Sequence, residues 1–469
     1  MEAKKEKIVG ALLTAMFLAA FEGTVIAMAA PIIVRELQGF ELISWMFSSY
    51  LLAAAISTPI YGKLADLYGR KNVLSIGILI FLCGSLCCGF SQTMVQLIFF
   101  RTTQGLGAGA ILTVTFTIIG DIFTLQERSV VQGAISTVWG VAGVLGPMLG
   151  GVLIETLSWH WIFFLNVPFG LICIFILQSY LPNMGKKQHI VIDYAGTLAL
   201  SVCIGDFLYI IMVGYQNQTW LPAAIIFLLS SLAFWYIERR AVEPIVPFSI
   251  VTRSSAIINS VAFFVSVLLI ATTVYFPLYI QSVLGYSAMV AGITLAPMSI
   301  SWFFSSILIA RGMQRLGAYK IVIGAAILLL AGAIAFSTVT AASALTTVAA
   351  YSFIFGFGFS GTLNTLTFMV QDSVGYSRRG AAVGINALVR TLGQTVGVSF
   401  FGTMINVKVG ELLATGEFGG TADLFSQENL AATTPLLLFG ALHFVFLLLV
   451  AVAVIIVVTA FLLQRYRGT

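Results

Sequence analysis

The sequence predicts an all-α membrane protein that crosses the bilayer with fourteen helices. Charged residues make up only 9% of the 469 residues and hydrophobic residues 59%, whereas soluble domains contain about 25% charged residues. The mean hydropathy is +1.03, and the apolar runs reach the length of about 20 residues that a spanning helix needs. These observations exclude an ordinary soluble protein.

The fourteen apolar segments follow one another with short polar links between most of them. They cover residues 8–34, 43–62, 72–91, 95–120, 129–154, 161–181, 192–214, 219–237, 256–282, 288–310, 318–337, 342–370, 379–406 and 434–463. Span 7 is the weakest because Asp206 interrupts it. The basic head "MEAKKEK" precedes span 1, and no small-residue cleavage site follows it, so we expect the first span to be retained.

The basic residues predict the orientation of this stack. Every Lys and Arg lies in the amino-terminal head, at an even-numbered link or in the carboxyl tail, except Arg35, Lys408, Arg101 and Arg390. Cytoplasmic loops carry the excess of Lys and Arg. We therefore expect a multi-pass protein of the cell membrane with an even number of spans and both termini in the cytoplasm.

A faint internal repeat points to transport. The link between spans 2 and 3 reads "GKLADLYGRK", and the link between spans 10 and 11 reads "ARGMQRLGAYK", so that Gly69 matches Gly317. Two related halves in a helical bundle are typical of transporters whose site lies where the halves meet.

Four stretches together resemble the fourteen-span drug:proton antiporter branch of the major facilitator superfamily. They are the link "GKLADLYGRK", "LIFFRTTQGLGAG" at 97–109, "GVAGVLGPMLGG" at 140–151 and "FEGTVIAMAAP" at 21–31. The sequence departs from the usual pattern at Glu22, where Asp is usual, and at Ala27, where Asn is usual. The stretch "WHWIFFLNVP" at 159–168 also resembles the family and has His160 where Arg is frequent. The resemblance implies a major facilitator fold: two six-helix bundles at 1–190 and 241–469, with two extra helices at 191–240 between them.

The charged link between spans 2 and 3 admits two interpretations. Gly62 and Gly69 allow tight turns, and Asp66 is suited to cap the following helix. The cluster either serves only to orient the protein or has a gating role. The resemblance implies gating, through a cytoplasmic network of Asp66, Arg70, Asp121 and Arg378 or Arg379 that holds the two halves closed on the inside.

Span 5 carries a stripe of small residues. Ala142, Gly146 and Gly150 recur at four-residue spacing and so share one helix face, which lets a neighbouring helix approach closely. Pro147 kinks the helix, and Gly151 completes the motif. The stripe serves either general packing or a sliding interface between halves, and the resemblance links it to export.

Ionisable residues inside spans are costly and indicate function by default. Glu22 lies near the midplane of span 1, where a carboxylate is expected to be the coupling group. Arg101 lies on span 4 beside small residues; it either pairs structurally with a polar neighbour or takes part in proton relay, which the resemblance implies. Asp206 in span 7 is a further candidate, with a position near the outer surface as the alternative. Glu155 is interpreted as interfacial and Arg390 as a group that stabilises the bundle.

The substrate cavity is expected to be mostly apolar. The chain has 37 Phe, 7 Trp and 13 Met, and adaptable Met and aromatic surfaces favour lipophilic ligands of varied shape. Glu22, Asn364 and Gln394 are the expected polar contacts in the cavity. Structural roles for Asn364 and Gln394 are the alternative.

These features and the resemblance favour a proton-coupled antiporter that exports amphipathic or cationic drugs by alternating access. Such multidrug efflux gives antibiotic resistance. A lipid exporter, for a lysolipid or glycolipid, is the alternative, and a receptor that transports nothing is the third. An enzyme is not expected, because no catalytic constellation or phosphate-binding loop is present. We expect no cofactor beyond the proton gradient, no metal site, no nucleic-acid partner and a monomer in the lipid bilayer.

Overall fold

The computed structural model describes residues 2–123, 125–182, 193–211, 219–241, 252–374, 379–414 and 430–465. The chain divides into two compact units. The first consists of Met1–Ile26, Ile32–Gly146 and Thr156–Phe248, and the second of Ala27–Pro31, Pro147–Glu155 and Ser249–Thr469. Short pieces of the first and fifth long helices thus belong to the second unit. The predicted division at 190 and 240 stays a prediction.

The described residues are helical throughout both units and contain no β-strand. The helices that begin in the first part of the chain are α1 (Glu2–Leu37), α2 (Ile43–Tyr68), α3 (Arg70–Gly89), α4 (Met94–Ile122), α5 (Leu125–Thr156), α6 (His160–Phe164), α7 (Asn166–Tyr180), α8 (Tyr194–Tyr209) and α9 (Trp220–Arg240). The remaining helices are α10 (Arg253–Ser282), α11 (Ala288–Leu316), α12 (Ala318–Phe336), α13 (Leu345–Asp372), α14 (Arg379–Ala414) and α15 (Leu430–Arg465).

Thirteen stretches of the described chain are long and apolar enough to span a membrane, and α6 and α7 together form one of them. These stretches confirm the all-helical membrane fold. Span 7 is the exception, because its apolar helix covers only Ala195–Tyr209 within the described residues. At about 1.5 Å per residue, 15 residues fall short of a hydrocarbon core about 30 Å thick.

Close helix contacts build the first unit around α4. Helix α4 packs against α2 and α3, and α3 also packs against α6 and α7. A Cβ atom at Gly105 would clash with the Tyr50 carbonyl oxygen, and one at Gly84 would lie 2.6 Å from the Gln104 Cα. Small residues therefore bring the α4 backbone against both neighbours, and this approach fixes the depth at which Arg101 lies.

The second unit has the same kind of helix pairing and an aromatic core. Helix α10 packs against α14 and α15, and α13 packs against α11 and α12. The rings of Phe276 and Phe336 stack with centroids 3.5 Å apart, and Phe446 meets Phe336 edge to face at 4.9 Å. Helices α8 and α9, which belong to the first unit, pair with each other, and α8 contacts α2.

Candidate functional site

The most buried charges of the described chain lie in the interior of the first unit. Glu22 on α1 exposes 0% of its surface and Arg101 on α4 exposes 1%. The guanidinium Nη1 of Arg101 donates to Glu22 Oε1, so the two residues form an ion pair inside the membrane-spanning helices. Charges at this depth are costly unless they are paired and hydrogen-bonded.

Arg101 has further partners on α2 and α4. Its Nη1 donates to Gln104 Oε1 at 2.7 Å, and its Nε donates to the carbonyl oxygen of Met46 at 3.3 Å. The guanidinium carbon lies 4.2 Å from the centroid of the Tyr50 ring, which adds a cation–π contact. Arg101 is therefore held in place by the same helices that the small residues of α4 bring together.

A second donor reaches Glu22 from the first turn of α7. Asn166 Nδ2 donates to Glu22 Oε2 at 2.8 Å and to Ser85 Oγ at 2.9 Å. Ser85 in turn donates to the carbonyl oxygen of Phe163 at 2.8 Å. We call Glu22, Ser85, Arg101, Gln104 and Asn166 the Glu22 cluster. It joins α1, α4 and α7 through one carboxylate, and Asn166 links α3 to it through Ser85.

Two polar atoms of the Glu22 cluster are buried and lack a partner among the described residues. They are the acceptor Asn166 Oδ1 and the donor Gln104 Nε2. A buried polar group without a hydrogen bond costs free energy. The unsatisfied acceptor Asn166 Oδ1 belongs to the same amide whose Nδ2 donates to Glu22.

The charged link that follows α2 forms a second cluster. Arg70 at the start of α3 pairs with Asp66 at 3.1 Å and with Asp121 at the end of α4. Gly69 has φ +88°, a backbone conformation that glycine adopts readily. Arg70 therefore ties the ends of α2 and α4 together at this side of the first unit.

The structure describes only some of the other residues that were predicted for this network. Arg378 and the side chain of Arg379 lie outside the described residues. Gly62 is half-buried, and a Cβ there would meet the Thr113 Cγ2 at 3.5 Å, an ordinary contact.

The small residues of α5 contact two different helices. Thr24 Oγ1, two residues after Glu22, donates to the carbonyl oxygen of Ala142 at 3.2 Å, and a Cβ at Gly146 would clash with that hydroxyl. Within the second unit, a Cβ at Gly151 would clash with Met289 and one at Gly292 would lie 2.7 Å from the carbonyl carbon of Pro147. The α5 stripe therefore packs against α1 in the first unit and α11 in the second.

The remaining members of the predicted sites lie outside the Glu22 cluster. Asp206 on α8 is half-buried, and its Oδ2 has no partner in the described part of the chain. Asn364 Nδ2 donates to Ser306 Oγ at 3.0 Å and to Ser360 Oγ at 3.2 Å. Gly150 is buried on α5, and Gln394 and Arg390 are half-buried on α14. The exposed Glu155 accepts a hydrogen bond from the Met289 backbone N–H at 2.9 Å.

Comparison with known proteins decides the family. The sequence profile of the Major Facilitator Superfamily matches residues 12–398. The chain belongs to the major facilitator superfamily. Multidrug resistance protein 3 of Bacillus subtilis (strain 168) is 33% identical over 409 residues, which cover 86% of this chain and 80% of that protein.

Other major facilitator proteins extend the similarity. The multidrug efflux pump SdrM of Staphylococcus aureus (strain N315) is 26% identical, with 85% of this chain and 90% of that protein covered. A bacterial homologue of the human lysosomal transporter Spinster, in an inward-facing and occupied conformation, superposes with a TM-score of 0.70 at 16% identity. That comparison covers 98% of this chain and 97% of the other, and it supports the fold alone.

Membership of the superfamily confirms three predictions. The protein is a multi-pass membrane protein, it is a transporter, and it is not an enzyme. The roles assigned to individual residues stay predictions.

Asn166, Gln104 and Thr24 belong to the site although the sequence analysis assigned them no role. Asn166 lies in "WHWIFFLNVP" and Thr24 in "FEGTVIAMAAP", both within stretches that resemble the superfamily. The available signal was an amide or hydroxyl in an otherwise apolar run. That signal did not reveal a partner, because Asn166 is 144 residues away from Glu22 in the chain.

Proposed function

We propose that the protein is a proton-coupled antiporter that exports amphipathic or cationic drugs and toxic compounds by alternating access. The observation that carries the proposal is the buried Glu22–Arg101 pair with its Asn166 donor. Relatives named as a multidrug resistance protein and a multidrug efflux pump support the export of drugs.

The carboxylate of Glu22 is the coupling group in this proposal. Burial disfavours its charged form, whereas Arg101 and Asn166 favour it. Helix movement that separates Arg101 from Glu22 removes the stabilising cation, and the carboxyl then takes up a proton from the outside. Return of Arg101 to the carboxylate displaces that proton, and its release toward the cytoplasm completes the inward step.

In this proposal a proton is exchanged for a substrate cation, because the single carboxylate of Glu22 balances one positive charge at a time. Arg101, a proton and the cationic group of a substrate compete for Glu22. A proton that arrives from outside displaces a bound substrate cation, which leaves outward. Apolar and aromatic surfaces hold the rest of such a substrate with little demand on its shape.

The cytoplasmic cluster of Asp66, Arg70 and Asp121 serves as a gate in this proposal. It ties the ends of α2 and α4, and its loss would change the population of states without removing the coupling carboxylate. We also propose that both termini face the cytoplasm, which the distribution of Lys and Arg supports.

Vesicles with purified protein and an imposed pH gradient test the proposal. Glu22→Gln resembles the protonated acid, so substrate exchange down its own gradient should persist while uphill transport is lost. Glu411→Gln is a suitable control, because Glu411 is an exposed carboxylate paired with Lys408. Both variants are compared with the unchanged protein for each flux.

The choice of substrates separates the proposal from the lipid alternative. The panel contains cationic dyes, cationic drugs and a lysolipid. Uphill accumulation of substrate by Glu22→Gln would place coupling elsewhere, and Asp206 would be the next residue to test. Transport of the lysolipid alone would favour the lipid exporter.

A further inference from the structure

Arg390 is a charge inside a spanning helix, and no described residue serves as its counterion. It is the twelfth residue of α14, about 17 Å along the helix from the Arg379 end. Among the residues that the structure describes, none makes a hydrogen bond or an ion pair with its guanidinium. The residue is half-buried.

The described spans of the second unit offer no acid at this depth. Their acidic residues lie near helix ends: Asp372 ends α13, Glu411 lies near the end of α14, and Glu155 lies at the end of α5. Arginine inside a membrane faces a cavity or the bundle interior and takes an anionic or carbonyl partner. The five N–H donors of Arg390 therefore have no acceptor among the described residues of this unit.

Two amide side chains flank Arg390 on α14. Asn386 and Gln394 lie four residues before and after Arg390, so the three share one helix face. Asn386 is buried and donates from Nδ2 to Asn259 Oδ1 on α10 at 2.9 Å. Gln394 is half-buried and makes no hydrogen bond with any described residue. Arg390 and Gln394 thus present free donors from adjacent turns.

We propose that Arg390 and Gln394, on the face of α14 that Asn386 anchors, bind the oxyanion group of an amphipathic ligand. A planar guanidinium with five donors suits a phosphate or carboxylate, which accepts two parallel hydrogen bonds. An adjacent amide donor adds a third contact. The site gives the transporter a way to bind anionic amphiphiles, whereas Glu22 serves cationic ones.

This inference rests on the proposed function only in assuming that amphipathic molecules enter the protein. Its test is equilibrium binding without a pH gradient, so a failure of proton coupling does not affect the result. Full-length protein in phosphatidylcholine nanodiscs is titrated by calorimetry with dodecyl phosphate, dodecyltrimethylammonium or inorganic phosphate. Empty nanodiscs provide the blank for partition into lipid.

The unchanged protein should bind dodecyl phosphate above the blank and at least about tenfold more tightly than inorganic phosphate. Arg390→Gln should weaken dodecyl phosphate binding by about tenfold or more, because hydrogen bonds to charged groups contribute about that factor. Binding of dodecyltrimethylammonium should stay unchanged. Arg315→Gln, which removes an exposed arginine from the last turn of α11, should alter neither ligand.

Arg390→Lys separates charge from geometry. It keeps the positive charge and loses the planar fork, so its affinity for dodecyl phosphate should lie between those of the unchanged protein and Arg390→Gln. No binding above the blank by the unchanged protein would overturn the proposal even if Arg390→Gln does not fold. Unchanged dodecyl phosphate affinity in a folded Arg390→Gln would overturn it as well.

Discussion

Two arginines inside spanning helices, one in each unit, have opposite surroundings. Arg101 is fully buried and has the carboxylate of Glu22, the amide of Gln104, a backbone carbonyl and an aromatic ring around it. Arg390 is half-buried and has no hydrogen-bonding or ionic partner among the described residues. The first unit thus balances its deep charge internally, whereas the described residues of the second unit give Arg390 no partner.

The difference teaches how each unit can respond to a ligand. A ligand at Arg101 must compete with an existing ion pair, so binding there is linked to the protonation of Glu22. A ligand at Arg390 gains contacts without breaking any, so binding there needs no proton. We therefore expect the first unit to bind cationic ligands in a proton-dependent way. We expect the second unit to bind anionic ligands without dependence on protons.

The largest expected effect on stability comes from replacing each of the two arginines by methionine. Arg101→Met leaves the Glu22 carboxylate buried without a cation, which should cost about 3–5 kcal/mol of unfolding free energy. Arg390→Met removes a charge that has no partner in the described part of the chain, so it should cost less than about 1 kcal/mol or even stabilise the protein. Thermal unfolding in one detergent measures both. Equal losses would show that Arg390 also has a structural role.

A smaller effect is expected from the glycine that brings α3 against α4. Gly84→Ala would press a methyl group against the Gln104 backbone, and the strain should cost about 1–3 kcal/mol. Because Gln104 supports Arg101, uphill transport should fall as well. Gly324→Ala on α12 is the matched change, since nothing lies within 4 Å of its Cβ, and it should be nearly neutral. Similar behaviour of both variants in unfolding and transport assays would contradict this account.

Asn166→Ala should remove a hydrogen-bond donor that stabilises the charged form of the Glu22 carboxylate more than its protonated form. The loss should cost about 1–2 kcal/mol, and the pH profile of transport should move toward higher pH. Asn364→Ala is the control, because its amide donates to the neutral hydroxyls of Ser306 and Ser360. Transport measured across a pH series in vesicles distinguishes the two. An unmoved profile in Asn166→Ala would mean that Asn166 has only a packing role.

The smallest effect on stability is expected for ion pairs that are partly exposed to water. Asp121 keeps 30% of its side-chain surface exposed beside Arg70, and exposed ion pairs contribute about 0–1 kcal/mol. Asp121→Asn should therefore unfold nearly as the unchanged protein does while transport falls, because the balance between states changes. Glu411→Gln breaks the exposed pair with Lys408 and should alter neither property. Normal transport by Asp121→Asn would remove the proposed gate.

The sequence by itself determined the membrane fold and the positions where charge enters it. Long apolar runs specify spanning helices because no water is available to satisfy an open backbone. Gly69, with its positive φ, and Thr93, whose side chain caps α4 by accepting from the Gln96 N–H, are local signals of the same kind. Glu22, Arg101 and Arg390 stood out because charges are rare in such runs.

Only the tertiary structure decided which of these charges has a partner. Helical periodicity shows which residues share a face, but not which helix lies opposite that face. Asn166 therefore reaches Glu22 from α7, and Thr24 meets Ala142 from α1, without a sequence signal for either pairing. The same reason explains why Arg101 and Arg390, both arginines in apolar helices, differ so much: one faces a carboxylate across the bundle and the other does not.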